Sequence, residues 1–204
     1  MTGRRASAAV LALLGLLLLQ AGSTARAATW IFTVTDGAGH PLDHAVVAVQ
    51  VKGAPTSAAA GSMAELGQRN RSFVPHVLAI QTGTTVSFPN YDMVRHHVYS
   101  FSAIRPFELK LYSERPPKSI LFDKPGTAVL GCNIHDQMLG WIHVVDTPLF
   151  STTDASGTAR LELPPGDHRL SVWQAEVLGE GAPLEQDLAV GREPGRVAVQ
   201  LVPH

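Results

Sequence analysis

The chain has 204 residues, 45% of them hydrophobic and 16% charged, with 16 basic against 17 acidic side chains. Neither sign of charge gathers into a run, which argues against nucleic acid as a partner. The single cysteine, Cys132, cannot build an internal disulfide framework, so it is free, joined to another chain, or a metal ligand.

Arg4 and Arg5 precede an apolar run over residues 8–19 and a small-residue stretch ending Ala25-Arg26-Ala27. This is the layout of a secretory signal peptide, cleaved after Ala27, and it implies export to the periplasm. The apolar run is too short for a membrane span, and no later segment approaches the roughly 20 apolar residues that a helical span needs. Without Arg4, Arg5 and Arg26 the mature chain keeps 13 basic against 17 acidic groups, a net charge of −4.

Beyond residue 27, fourteen prolines and fifteen glycines punctuate short apolar runs of period two, and no helical repeat lasts three turns. The alternation predicts strands over 30–35, 45–51, 76–81, 84–89, 97–102, 107–112, 128–132, 140–145, 159–163, 168–173, 186–190 and 197–202. Phe107, Leu109 and Leu111 alternate as core residues, and residues 112–117 read as a loop. The Ala, Ser and Gly content of 53–67 predicts a linker, in which Ser62-Met-Ala-Glu65 has the pattern to cap one short helix. The fold class is all-β, a sandwich or Greek-key barrel.

The segment Gly131-Cys-Asn-Ile-His-Asp-Gln-Met138 places a thiol, an imidazole and a thioether between two strands. These are donors that copper prefers, and a short loop can fold them around one ion. A blue-copper site needs a second imidazole. Phe88-Pro-Asn-Tyr-Asp-Met-Val-Arg-His96-His97 offers two candidates at the start of a strand. Alternation puts His96, Val98 and Ser100 on one face and His97, Tyr99 and Phe101 on the other, so only one of the pair can reach the loop. The face itself is left open by periodicity.

With these residues the chain resembles the cupredoxins, and within them amicyanin, which shares the C-x2-H-x2-M spacing. Phe88, Asn90 and His96 keep the family's aromatic-x-Asn approach to the first ligand, and Phe73-x-Pro75, Gly83-x-x-Val86-x-Phe88 and Gly126 also fit. The resemblance covers about residues 68–146 and implies a Greek-key cupredoxin β-sandwich holding one copper ion. It implies His96, Cys132 and His135 as equatorial ligands and Met138 as the axial one. The spacing from Asn90 favours His96 over His97. Two departures stand out: the family's Asn after the first ligand is His97 here, and its prolines before the two ligand histidines are Arg95 and Ile134.

The flanking segments have a resemblance of their own. Val34-Thr-Asp-Gly-Ala-Gly-His-Pro-Leu42 with Ala45-Val-Val-Ala-Val49, and Thr153-Asp-Ala-Ser-Gly157 with Leu161-Glu-Leu-Pro-Pro-Gly166 and Leu170-Ser-Val172, are similar to transthyretin-like, carboxypeptidase-regulatory-like domains. The implied organisation is a signal peptide at 1–27, the halves of a small transthyretin-like sandwich at 28–52 and 147–204, a linker at 53–67 and the cupredoxin domain at 68–146. The whole chain resembles exported proteins labelled methylamine utilisation protein.

The remaining polar residues read more simply. His143 sits in an alternating strand and is a surface or barrel residue; His40, His44, His76, His168 and His204 have no paired spacing and are solvated or capping groups. Asp92, Glu108, Asp123 and Asp136 are solvated charges, with Asp136 placed to tune a neighbouring ligand. Met138, Leu139 and Trp141 are expected to keep the site dry. The resemblance implies a carrier of single electrons between redox partners, a dehydrogenase, cytochrome or oxidase of the periplasm, rather than an enzyme. The alternatives are copper delivery and a metal-free binding module of the same fold.

Overall fold

A computed structural model describes residues 26–203. The rest of the expected signal peptide, residues 1–25, and His204 lie outside the described residues. The chain opens with strands β1 (Ala28–Thr35) and β2 (Val46–Gln50). Ten strands follow: β3 (Met63–Glu65), β4 (Gly67–Arg69), β5 (Ser72–Val74), β6 (Val77–Gln81), β7 (Thr84–Ser87), β8 (His96–Ser100), β9 (Phe107–Tyr112), β10 (Ile120–Phe122), β11 (Gly126–Cys132) and β12 (Leu139–Val145). The rest comprises β13 (Phe150–Thr152), β14 (Thr158–Leu163), β15 (Gly166–Trp173), helix α1 (Ala175–Leu178), β16 (Leu184–Val190) and β17 (Gly195–Gln200).

The strands expected from alternation are all present. Five others, β3, β4, β5, β10 and β13, are three residues each and too short to display a period. The stretch expected to cap a short helix is β3, paired parallel with β7 from Met63↔Thr85 to Glu65↔Ser87. An isolated helical turn is costly to nucleate, whereas a neighbouring strand supplies backbone partners at once. Leu111 is also corrected: it is 51% exposed, while Leu109 and Tyr112 are buried. The pairing of β8 with β9 steps from His96↔Tyr112 to Val98↔Leu109, so an extra residue bulges on β9 and reverses its alternation beyond Leu109.

The middle of the chain forms a sandwich. One sheet has the order β6-β12-β11-β8-β9 and the other β10-β7-β3. Between them lie Val86, Phe88, Val98, Phe122, Leu130 and Ile142, none of them exposed. Strands β4 and β5 form a separate hairpin whose two-residue turn, Asn70-Arg71, has φ of 54° and 56°, the primed geometry that matches strand twist.

Both ends of the chain build a second sandwich, with sheets β14-β1-β17 and β13-β2-β15-β16 around Phe32, Val34, Val47, Val49, Leu163 and Leu170. β1 runs antiparallel to β14 and parallel to β17.

Strand β12 explains how the sandwiches meet. Ile142 and Val144 turn into the first core, while Trp141, His143 and Val145 turn the other way onto Val46, Ala48 and Trp173. A strand covered on both faces reads as a continuous apolar run. His143 is thus neither a surface group nor a lining of a barrel: it is 4% exposed, stacks on Trp173 at 4.4 Å and 5°, and shares a 2.9 Å hydrogen bond between Nδ1 and the Thr127 hydroxyl. Burial pushes its pKa down to about 4.

Because the folded chain holds this imidazole neutral well below its usual pKa of 6.5, the unfolded chain takes up the proton first. Stability is therefore undiminished above pH 6.5 and falls by up to about 3 kcal/mol as the pH drops toward 4. Denaturant unfolding at pH 7 and at pH 4.5 is expected to show this loss, and His143→Phe to reduce it; an unchanged pH slope in the variant would assign the loss elsewhere.

Candidate metal centre

The centre begins with one short stretch of strand pairing. β11 ends at Cys132, which pairs with Val98 of β8, and Gly131 pairs with Tyr99. The Asn133 N–H then donates to the His97 carbonyl at 3.2 Å.

β8 presents His96 inward, fully buried beside Val98 and Ser100. His97 takes the opposite face, where its Nε2 meets the Glu108 carboxylate on β9 at 2.9 Å. His96 Nδ1 lies 3.7 Å from Cys132 Sγ, and His135 Nδ1 lies 3.7 Å from the same sulfur. The donor atoms of His96, Cys132 and His135 all fall within 4.8 Å of one another. Met138 is 2% exposed and belongs to the same buried cluster as Cys132. Its N–H donates to the His135 carbonyl at 2.9 Å, which closes the loop around the sulfur.

This donor set fits a copper ion. Two nitrogens at 3.7 Å from one sulfur would let all three atoms bind one ion with bonds of roughly 2.0–2.3 Å. A thiolate with two imidazoles and a buried thioether is a soft set, favouring copper over a hard cation.

Sequence reasoning missed Asp92. It is not a solvated charge: its side chain is 11% exposed, and one carboxylate oxygen accepts from His96 Nε2 at 2.8 Å. The carboxylate also accepts the N–H groups of Asn70 at 2.6 Å and Arg71 at 2.9 Å. Burial alone would raise its pKa, but these donors, Arg71, His96 and Asn70, outweigh it and hold the carboxyl below its usual range. Holding the proton on Nε2 leaves the Nδ1 lone pair aimed at the cluster. Asn90 sets up this turn: its side-chain amide donates to the Val94 carbonyl at 2.8 Å, and its oxygen accepts the Asp92 N–H at 2.9 Å. An aspartate four residues before the histidine was the available signal, but the β4–β5 turn that completes the site is distant in sequence.

Two expectations change. Trp141 packs against Trp173 at 5.9 Å, in the seam, and Leu139 is 44% exposed, so of the three only Met138 is buried in the core that holds Cys132, together with Phe73, Phe88, Val98 and Leu130. Phe73 is admitted by Gly140, where a Cβ would come within 2.8 Å of the ring. Asp136 is exposed; the carboxylate that meets a histidine of the cluster is Asp92, at His96.

No family model and no curated protein matches the chain. Among solved structures it is similar to the Cu-containing nitrite reductase (NirK) from Thermus scotoductus SA-01, 30% identical over 46% of this chain and 27% of that one, with a TM-score of 0.38. It is also similar to a reduced amicyanin mutant, 19% identical over 48% of this chain and 97% of that one, with a TM-score of 0.37. A purple cupredoxin from Nitrosopumilus maritimus is 22% identical over 41% of this chain and 98% of that one, with a TM-score of 0.36. The chain thus spans about a quarter of the nitrite reductase's length and nearly all of the two smaller proteins.

Removing the carboxylate frees the His96 ring and leaves two turn N–H groups without a partner. Asp92→Ala is expected to weaken Cu(I) binding by about 10–100-fold in chelator competition, with Asp92→Asn recovering part of the loss. Equal affinity in all three proteins would mean that Asp92 does not orient the ligand.

Proposed function

We propose that the chain is an exported blue-copper protein that binds one copper ion through His96, Cys132, His135 and Met138 and carries single electrons between periplasmic redox partners. The observation that carries this reading is the cysteine sulfur held at 3.7 Å from two imidazole nitrogens inside a dry sandwich core. Bound there, copper supplies one reversible one-electron couple.

The chain's own residues do the rest. Cys132 and His96 sit on hydrogen-bonded strands, and Asp92 fixes the His96 ring, so the ligands are arranged before an ion arrives. Met138 and the core around it exclude water, which keeps the surroundings apolar and tunes the potential. His135 is the half-buried member of the cluster, and its loop carries the exposed side chains Ile134 and Leu139. Met93 and Val94, on the turn before His96, are exposed as well. An electron leaving through the His135 edge meets a surface on which a partner protein can dock without stripping charged groups of water. All four ligand positions come from protein, which leaves no position for a substrate, and we assign no turnover.

The reading places export on residues 1–27 and takes the sandwich built by 28–52 and 147–204 as transthyretin-like. Among the described residues no helix is long and apolar enough to cross a membrane.

Adding Cu(II) to residues 28–204 is expected to produce an intense thiolate-to-copper absorption band and a matching electron paramagnetic resonance signal. The band should bleach with mild reductant and return with oxidant. Cys132→Ser should remove it while preserving the far-ultraviolet β signal; a band that survives takes Cys132 out of the site. Colourless protein that takes up Cu(I) and exchanges it quickly would instead indicate delivery. Met138→Leu should retain copper and raise the reduction potential, because an axial donor to Cu(II) is lost. An unchanged potential would exclude Met138 as that donor.

A further inference from the structure

Away from the cysteine cluster, the fold gathers a second set of donors from three separate segments. His44 lies on the β1–β2 connection, His76 precedes β6, and Glu176 lies in α1. The His44 and His76 rings stand edge to face with centroids 6.4 Å apart, against 5.0 Å for His96 and His135. His76 Nε2 and Glu176 Oε1 are 3.7 Å apart, beyond a hydrogen bond and equal to the donor spacing at the cysteine cluster.

Hydrogen bonds fix the backbone of His44 and His76 and one carboxylate oxygen of Glu176. His44 has a left-handed backbone, φ 56°, a conformation uncommon outside glycine, and its N–H donates to the Asp43 carboxylate at 2.8 Å and the Thr153 carbonyl at 3.1 Å. Asp43 Oδ2 also lies 3.3 Å from His44 Nδ1. This sets a carboxylate beside the ring, the kind of neighbour that orients a histidine for a metal. The His76 carbonyl accepts the Trp141 N–H at 2.9 Å. Gln174 caps α1 through Val177 and donates its side-chain amide to Glu176 Oε2, leaving Oε1 turned toward His76.

We propose that His44, His76 and Glu176 form a second metal site, for a divalent cation of the zinc class, across the seam between the two sandwiches. Two imidazoles and one carboxylate are a borderline set that favours zinc or Cu(II) over calcium or magnesium. Three protein donors leave a position open to water. Among the described residues only the cysteine cluster already holds three such donor atoms within 4.8 Å of one another, so an ion here requires these side chains, 45%, 39% and 62% exposed, to turn toward it. The same exposure makes the site weaker and faster to exchange than the buried cluster. Because His44 and Glu176 belong to the second sandwich and His76 to the first, an ion bound here clamps the two together.

The test uses untagged protein, residues 28–204, carrying Cys132→Ser so that zinc cannot take the thiol. Equilibrium dialysis and thermal melts with zinc are expected to give one bound ion per chain and a raised midpoint. His44→Ala, His76→Ala and Glu176→Gln should each weaken binding at least about tenfold and cancel the rise. His40→Ala is the control, since His40 also pairs with an aspartate, Asp36, at 3.1 Å, but far from this cluster in the chain. Metal-free midpoints should be unchanged in the isosteric Glu176→Gln protein, so loss of zinc there cannot be put down to unfolding. Absence of zinc binding in the parent, or equal binding in all three variants, overturns the proposal.

Discussion

The short pairing of β11 with β8 governs the site. Two residue pairs, Gly131↔Tyr99 and Cys132↔Val98, fix the height of the cysteine against the strand that begins at His96. A slip of one residue along that ladder would carry His96 out of the core and His97 into it, because side chains alternate along a strand. Gly131 is part of the same constraint. The Tyr99 ring lies across it so closely that a Cβ would sit 2.7 Å from the phenolic carbon. Any larger residue would push the ring away and loosen the register on which the cluster depends.

Strand β12 carries that order outward. One face packs on the core that surrounds the sulfur, and the other on Trp173 and the sheet of β2 and β15. The loop bearing His135 and Met138 is therefore anchored at its far end by a strand buried on both sides. A buried neutral imidazole, His143, sits in that second face, stacked on Trp173.

Period-two alternation was enough to locate every long strand and to set His96 and His97 on opposite faces of β8, but which of the two faces the core came from the spacing to Asn90 and not from the period. It failed at Leu111, where a bulge reversed the alternation, and at β3, where a neighbour's backbone decides the conformation. The soft donors of the cysteine loop were legible because Cys132, His135 and Met138 are close in sequence. Asp92 was not, because its partners in the β4–β5 turn lie some twenty residues upstream, with |i−j| of 22 and 21 for Asn70 and Arg71. The meeting of His44 with His76 depends on how two sandwiches pack, and no local pattern encodes that. Trp141 was misplaced for the same reason: its apolar character was plain, but not which of two cores it enters.

The placement of the chain's ends bears on the order in which it folds. Thr29 and Glu162 are partners although 133 residues separate them, so closing that sheet from an open chain carries a large loop entropy and a slow search. The first sandwich shortens the path. Its parallel β6–β12 pair sets Gln81 beside Val145, and the Val49 N–H is bonded to the Leu149 carbonyl. Once the middle of the chain has folded, the two distant ends emerge side by side, and what remains to be closed is two short segments. The middle sandwich thus sets the two ends of the outer one where they can pair.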